Sequence, residues 1–292
     1  MSTDDIWATV VLYHPDDETL SYIEQLSRWI RLVVVDNSPN VQRELTQGIT
    51  FISNGKNLGV AAALNQGMRY ARVNGANWCL LLDQDSRLSH QDITALKKEL
   101  KAQAGAQLAI LAPIYYCNNV ERHGDAILFE DGKLIRSGVS LSSGEHQLYP
   151  ASYVISSGSL VNLDVCEKIG WHDESLFIDF VDVEWGLRAR SHGYNIYLTN
   201  RVCLQHSIGD NPICLGKQKV VNHSPVRHYY YFRNVLHMLR KPYVPMQWKL
   251  RELAKLCPRF LLYACFTDNK SSQVKHMLKG VLHGLLGRKG SL

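Results

Sequence analysis

The first 115 residues alternate short, mostly apolar runs with segments in which apolar positions recur at helical spacing. Runs of strand length occupy residues 6–13, 32–35, 51–53, 78–82 and 108–112,. Amphipathic segments at residues 16–28, 60–73 and 91–104 predict helices,. An alternation of buried strands with helices predicts a parallel, doubly wound α/β sheet.

The pattern changes from about residue 118. Residues 126–129 and 133–136 predict a hairpin, and residues 153–159 predict an extended segment that ends in small residues,. Residues 177–185 lead into a helix that we expect to end at His192-Gly193, and residues 195–199 predict another strand,. For residues 225–292 the pattern of apolar and polar positions predicts helices only.

This C-terminal segment is also basic. Its positively charged residues are interspersed among apolar ones and include Lys249, Arg251, Lys255, Arg259, Lys275, Lys279, Arg288 and Lys289. Helices with basic and apolar faces are typical of proteins that lie on an anionic membrane. A helical bundle packed on the sheet, with solvated lysines, explains the pattern equally well, so both interpretations stay open.

Two carboxylates, Asp83 and Asp85, directly follow the buried run 78–82. They should emerge at the carboxyl end of a strand, where open α/β sheets bind their ligands. Residues two apart in an extended segment point the same way, so both can face one ligand. Paired hard oxygens suit Mg²⁺ or Mn²⁺, which share their remaining positions with substrate phosphate. The alternative is a solvated turn that caps the next helix.

Composition restricts the class of protein. The chain of 292 residues is 46% hydrophobic and 20% charged, which fits a globular protein with a sizeable core,. No apolar run approaches the ~20 residues of a membrane-spanning helix, and the acidic N-terminus lacks the basic start of a secretory signal. Seven scattered cysteines without a CxxC pair fit reduced thiols in a cytoplasmic protein,.

Common nucleotide motifs are missing from the sequence. Neither GxGxxG nor GxxxxGK[ST] follows a predicted strand, so we expect phosphate to be bound through a metal,. A nucleic-acid partner is disfavoured, because the net charge of +5 is modest and the basic residues lie on amphipathic helices,.

Several motifs occur together in a fixed order. They are Asp36-Asn37-Ser38, Asn57-Leu58-Gly59, Asn65-Gln66-Gly67, Leu82-Asp83-Gln84-Asp85-Ser86, Asp173-Glu174, Phe177-Ile178-Asp179, Asp182-Val183-Glu184-Trp185, His206 and Arg227-His228-Tyr229-Tyr230. Over about residues 6–240 this set resembles the family 2 inverting glycosyltransferases of GT-A fold. The Asp-Gln-Asp-Ser form and the stretch 177–185 are most similar to bacterial rhamnosyltransferases that use dTDP-L-rhamnose.

The resemblance implies a mainly parallel sheet flanked by helices, with a C-terminal helical extension. Residues 1–224 would form the transferase domain, with a nucleotide-sugar half at 1–115 and an acceptor and catalytic half at 116–224. Residues 225–292 would form a basic helical region with a possible membrane role.

The resemblance also implies roles for individual residues. Asp182 would be the base that deprotonates the acceptor hydroxyl, with Asp179 and Glu184 as rivals. A Mg²⁺ or Mn²⁺ ion would be bound by Asp83, Asp85 and His206. The nucleotide-sugar would contact Asp36, Asn57, Gly59, Asn65, Asp83, Arg227, His228 and Arg233. The acceptor side would include Ser157, Gly158 and Trp185.

The implied donor is dTDP-L-rhamnose, although a UDP-sugar such as UDP-galactofuranose fits the same motifs. The implied acceptor is a glycan or a polyprenyl-diphosphate-linked glycan of O-antigen or capsule synthesis, at the inner face of the bacterial plasma membrane. Two other classes stay open from the residues alone. One is a haloacid-dehalogenase-like phosphatase, whose nucleophile motif also reads Asp-x-Asp after an apolar strand, and the other is a non-catalytic scaffold.

Overall fold

A computed structural model describes residues 5–40, 48–103, 107–118, 121–141, 146–206, 213–215 and 218–292. Within these ranges the strands are β1 (Ile6–Leu12), β2 (Arg31–Asp36), β3 (Thr50–Ser53), β4 (Trp78–Asp83), β5 (Leu108–Cys117), β6 (Arg122–His123), β7 (Ala126–Glu130), β8 (Lys133–Ser137), β9 (Leu148–Pro150), β10 (Leu160–Asn162), β11 (Asn195–His206), β12 (Ile213–Leu215) and β13 (Gln218–Val220). The helices are α1 (Asp17–Ser27), α2 (Val60–Val73), α3 (His90–Gln103), α4 (Leu163–Ile169), α5 (Val181–Ser191), α6 (Pro225–Leu239), α7 (Met246–Phe266) and α8 (Lys270–Leu285), and a 3₁₀ turn covers Glu174–Leu176.

The main sheet has the strand order β3-β2-β1-β4-β10-β5-β11-β9, with β6 paired to β5. Neighbours among β3, β2, β1 and β4 are parallel, as are β5 and β11. The short strand β10 is antiparallel to both β4 and β5, which makes the sheet mixed. The expected mainly parallel sheet flanked by helices, with helices at the C-terminus, is confirmed.

The apolar run of β4 packs on both faces of the sheet, as its composition predicts. Cys79 and Leu81 join the core on one face, while Leu80 and Leu82 join the core on the other. Successive side chains of a strand alternate between faces, so a run without polar residues needs two apolar layers. The helix α2 covers one face closely, because a Cβ on Gly67 would lie 2.2 Å from Thr9 Cγ2.

Three sequence expectations are wrong in detail. The strand predicted at 108–112 continues to Cys117, and the strand predicted at 195–199 continues to His206 through a register shift between Thr199 and Cys203,. The segment 153–159 is bent rather than extended, because the amide of Ser159 donates to the Ser156 carbonyl and Gly158 has φ +80°. Only the three residues of β10, which follow it, enter the sheet.

The first C-terminal helix, α6, packs closely on α8. A Cβ on Gly280 would lie 2.5 Å from the Tyr229 carbonyl oxygen, and one on Gly284 would lie 2.9 Å from the Arg233 carbonyl oxygen. α6 and α8 therefore pack against each other as part of a helical bundle. None of the helices in the described ranges combines the length and apolar character needed to span a bilayer.

Candidate active site

Strands β2 and β4 bring Asp36 and Asp83 to the same edge of the sheet, on either side of β1. Asp36 pairs in register with Leu12 of β1, and Asp83 pairs with Val11. Asp36 is buried, and its Oδ1 accepts a hydrogen bond of 2.7 Å from the amide of Ser38. The Asp36 side chain thus fixes the turn after β2 at the edge where parallel sheets bind ligands.

The turn after β4 is fixed by the residues that flank Asp85. Oε1 of Gln84 accepts from the amide of Tyr13 over 2.8 Å, which joins the loops after β1 and β4. The amide of Ser86 donates to the Asp83 carbonyl over 3.0 Å, and the buried Ser86 hydroxyl is hydrogen bonded to the Ser157 hydroxyl. Asp83 is half-buried and Asp85 is exposed, so this turn presents carboxylates at the sheet edge.

An open cleft of about 280 Å³ lies beside Asp85. It is lined by His14, Asp16, Glu18, Thr19, Gln84, Asp85 and Arg87.

Asp83, Asp179 and Asp182 form an acidic group. Burial raises the pKa of Asp182 to about 6, the hydrogen bond from the Val183 amide opposes that rise, and the negative charges of Asp83 and Asp179 add to it. Burial also raises the pKa of Asp179, against the effect of the Arg227 guanidinium, whose Nε donates to Asp179 Oδ1 over 3.2 Å. A carboxylate with a raised pKa is a stronger base than an ordinary one, which suits proton abstraction.

The loop before Asp182 has a strained backbone. Phe177, Asp179 and Phe180 have φ values of +66°, +63° and +65°, in the left-handed region that non-glycine residues rarely occupy,. The side chain of Asn234 on α6 donates to the carbonyl oxygens of Ile178 over 2.7 Å and of Asp179 over 3.0 Å. Such strain persists only where surrounding contacts hold it, and it concentrates at functional sites.

The sequence compares with known proteins as follows. The profile of glycosyl transferase family 2 matches residues 19–169. The chain is 31% identical over 291 residues to the dTDP-rhamnosyl transferase RfbF of Shigella flexneri, covering 98% of this chain and 97% of that one. The chain belongs to glycosyl transferase family 2.

More distant comparisons agree with this family. The galactofuranosyltransferase GlfT1 of Mycolicibacterium smegmatis is 26% identical over 273 residues, covering 85% of this chain and 89% of that one. The crystal structure of GalNAc-T7 with UDP, GalNAc and Mn²⁺ superposes with a TM-score of 0.58 at 11% identity, over 96% of this chain and 56% of that chain. This likeness shows the GT-A fold. The chain is therefore a glycosyltransferase, and the phosphatase and scaffold interpretations are wrong.

The start of α2 differs from what the family resemblance implied. The resemblance implies that Asn57 and Gly59 contact the nucleotide-sugar, and free amides at a helix N-terminus would favour such an anionic ligand. Instead the Phe177 carbonyl accepts from the amides of Val60 over 2.8 Å and of Ala61 over 3.4 Å. Oδ1 of Asn57 accepts from the Gly59 amide over 2.9 Å. The helix N-terminus thus holds the strained loop rather than an open anion site.

Asn65 likewise connects two parts of this family 2 domain. Its Nδ2 donates to the His172 carbonyl over 3.0 Å and to Glu174 Oε1 over 2.8 Å, and its Oδ1 accepts from the His172 amide over 3.0 Å. Because the side chain is buried in these contacts, it offers no hydrogen-bonding group to a nucleotide. The expected donor contact of Asn65 is not supported.

His228 and Arg233, which the resemblance assigns to donor binding, lie in the interior. The ring of His228 stacks on Tyr263 with centroids 3.8 Å apart, and its Nδ1 lies 2.6 Å from Gln273 Oε1. Arg233 has no exposed surface and donates to the Leu176 carbonyl over 2.8 Å and the Ser175 carbonyl over 3.2 Å. Both residues face inward from α6, whereas Arg227 is partly exposed beside Asp179.

Glu184 is a buried structural carboxylate. It pairs with Arg188 at 2.9 Å and Lys241 at 3.4 Å and accepts from the Tyr243 hydroxyl, so it has no opening for an acceptor hydroxyl. Among the three proposed bases, Asp179 and Asp182 therefore stay together at the site while Glu184 is turned away.

The expected acceptor-side residues are also interior. Trp185 is fully buried, and its Nε1 donates to the Gly170 carbonyl over 2.9 Å. Ser157 is buried against Ser86, and the amide of Gly158 donates to the Leu81 carbonyl over 2.7 Å. Trp185 nevertheless lines a small cavity together with Asp182 and His172.

Some of the side chains that were expected to bind a cation lie within the described residues. Asp83 and Asp85 carry hard carboxylate oxygens at one turn, and a cation bound there would offset the negative charges that add to the effect of burial on the pKa of Asp182,. His206 ends β11, paired with Cys117 of β5, but its side chain lies outside the described residues. In the described part of the chain no three His, Cys, Asp or Glu side chains are grouped closely enough to hold a metal by themselves. Two carboxylates plus substrate phosphate fit the way Mg²⁺ is commonly bound.

Proposed function

We propose that this family 2 enzyme is an inverting rhamnosyltransferase, which moves L-rhamnose from dTDP-L-rhamnose to a glycan or lipid-linked glycan. The observation that carries the donor assignment is the 31% identity to dTDP-rhamnosyl transferase RfbF, which extends over 98% of this chain. The acidic group at the sheet edge supports the inverting chemistry, because that chemistry needs one carboxylate base.

Asp182 is the base in this proposal. One carboxylate oxygen accepts the proton of the acceptor hydroxyl while the hydroxyl oxygen bonds to the anomeric carbon. The bond from that carbon to the diphosphate breaks on the opposite face, and its electron pair leaves with the diphosphate oxygen. The raised pKa of Asp182 supports this role, since a buried carboxylate near other negative charges binds a proton more readily,.

Asp83 and Asp85 would hold a Mg²⁺ or Mn²⁺ ion, with His206 proposed as a further ligand. When bound, the ion would stabilise negative charge on the departing nucleoside diphosphate. Arg227 is partly exposed next to Asp179, and its guanidinium would bind a phosphate oxygen of the donor,. Asp36 would lie at the end of this sheet edge that contacts the nucleotide of the donor.

The acceptor would be a polyprenyl-diphosphate-linked glycan of O-antigen or capsule synthesis. The enzyme would meet it in the cytoplasm at the inner face of the bacterial plasma membrane, whose lipids are anionic. The second candidate donor is UDP-galactofuranose, favoured by the similarity to the galactofuranosyltransferases GlfT1 of Mycolicibacterium smegmatis and Mycobacterium tuberculosis.

Calorimetry with dTDP, UDP and GDP, each with and without Mn²⁺, tests the donor. Tighter binding of dTDP than of UDP, dependent on Mn²⁺, would support the rhamnose donor. Preference for UDP would move the assignment to the second candidate, and absence of binding by all three would refute both donor assignments. Asp85→Ala should abolish the effect of Mn²⁺, whereas Asp268→Ala, at an exposed carboxylate between α7 and α8, should not change it.

A further inference from the structure

The exposed side of α7 is apolar along its whole length. Within Met246–Phe266 every exposed residue is apolar. Leu250 and Leu261, for example, are 61% and 63% exposed. Soluble proteins leave single leucines exposed, but a continuous apolar face on one helix marks an interaction surface.

Helical spacing places most of these side chains in one row. The row, here called the outer stripe, consists of Met246, Leu250, Leu253, Cys257, Leu261 and Cys265. Its members are three or four residues apart, so they share one face of a helix of 21 residues, about 31 Å long,. The charged residues of α7 lie to the sides of the stripe or turn inward, as Glu252 does to accept from the Tyr231 hydroxyl over 3.0 Å.

The neighbouring helix α8 also exposes apolar and positively charged residues. Leu278 and Leu282 are exposed on α8 together with Lys275 and Lys279. Residues 246–292 contain nine Lys or Arg residues and two acidic ones, and no acidic residue follows Asp268. An apolar row next to an excess of positive charge matches the chemistry of anionic phospholipid, with acyl chains beneath negative headgroups.

We propose that the outer stripe of α7, with the basic residues of α8, docks this enzyme on the surface of an anionic bilayer. A second copy of the chain is the weaker occupant, because two copies would bring like charges together around the apolar rows. The inner side of α7 contacts the catalytic loop, since the ring of Trp248 packs edge-to-face on Phe180 with centroids 5.5 Å apart. Docking would therefore hold the loop before Asp182 about one helix diameter, ~10 Å, above the headgroups.

This inference rests on the proposed function at one point, namely that the acceptor is lipid-linked. Vesicle flotation of the full chain tests it, with phosphatidylglycerol–phosphatidylethanolamine vesicles and, in parallel, phosphatidylcholine vesicles. We expect binding to the anionic vesicles only, and loss of most binding at high salt. The double variant Leu250→Glu and Leu261→Glu should bind at least tenfold less. The matched control Val73→Glu and Ile135→Glu, at exposed apolar residues outside α7 and α8, should bind as the wild type does.

The exposed thiols of Cys257 and Cys265 give an independent readout. An environment-sensitive fluorophore on these thiols should shift to shorter wavelength with anionic vesicles, and Cys257→Ser with Cys265→Ser should remove that response. Equal vesicle binding by the stripe and control variants would overturn the proposal. So would a wild-type dimer in sedimentation velocity that the stripe variant converts to a monomer. Nucleotide binding by calorimetry is measured on the same variants, so failure of docking and failure of the proposed function are distinguishable.

Discussion

The side-chain amide of Asn234 donates to the main-chain oxygen of Asp179 over 3.0 Å, although the two residues are 55 positions apart. The same nitrogen lies 2.7 Å from the Ile178 oxygen and 2.9 Å from the Leu176 oxygen. Helix α6 therefore sets the backbone of the strained loop that carries Asp179 and leads into Asp182. In this enzyme α6 therefore supports the loop that carries Asp179 and leads to the proposed base, Asp182.

Asn234→Ala should lower both stability and turnover. The substitution removes the side-chain donor shared by three carbonyl oxygens, and we expect a loss of roughly 1–3 kcal/mol in unfolding free energy. The loop should also relax from its left-handed conformation, so kcat should fall at least tenfold while KM for the donor changes less. Chemical denaturation and steady-state kinetics measure the two effects.

A buried asparagine elsewhere provides the control. Asn162 donates to the Leu108 carbonyl over 3.0 Å and caps α4, away from the loop. Asn162→Ala should cost comparable stability yet leave kcat per folded molecule near the wild-type value. Equal losses of kcat in both variants would contradict a positioning role of Asn234.

Asp182→Asn tests the assignment of the base. An amide cannot accept the acceptor proton, so kcat should fall by about 10²–10⁴. Affinity for dTDP with Mn²⁺ should stay within about twofold, because the role of Asp182 is in the transfer step. The comparison is Glu184→Gln, which removes the negative partner of Arg188 and Lys241 and should mainly destabilise the fold,. Full activity of Asp182→Asn would return the base to Asp179.

Apolar patterning predicted the elements that build the sheet edge. The bounds of α2 are those predicted, and β4 ends at Asp83, one residue beyond the predicted apolar run. These elements are local in origin, since an apolar run without polar interruption has few ways to fold other than as a strand covered on both faces. The turn that carries Asp83 and Asp85 follows directly from them.

Roles of individual polar residues were predicted less well, because they depend on packing between distant segments. Arg227 and Arg233 belong to one basic and aromatic stretch, but only Arg227 is partly exposed. Which side of α6 faces inward is set by α8, through the close approach at Gly280 and Gly284. The loop 177–180 gave no local signal either, since its left-handed residues are not glycines and their support comes from Asn234 on α6.

Gly59→Ala should disturb the strained loop from its other side. Gly59 has φ +87°, and a Cβ there would lie 2.6 Å from both the carbonyl oxygen and the ring of Phe177. Gly75 has a similar φ of +93° but open space around its Cβ position. Gly75→Ala should therefore lower the unfolding free energy only by the cost of the backbone strain, about 1 kcal/mol. Gly59→Ala should cost clearly more in unfolding free energy and should lower kcat, and equal effects of the two variants would argue against close packing at Phe177.

His172 should make the fold sensitive to acid. Burial, aided by the charge of Arg188, lowers the pKa of His172 to about 3, compared with about 6.5 in an unfolded chain,. Between these values the unfolded chain binds a proton that the folded protein does not, so stability falls as the pH decreases from about 6.5 toward 3. The loss from this residue is at most about 1.4 kcal/mol per pH unit.

His172→Phe keeps a ring that stacks on Trp185 and cannot titrate. Urea unfolding from pH 7 to pH 4 should show a shallower decline of the unfolding free energy for His172→Phe than for the wild type. Parallel curves for His172→Phe and the wild type would mean that His172 takes up its proton over the same pH range in the folded protein as in the unfolded chain.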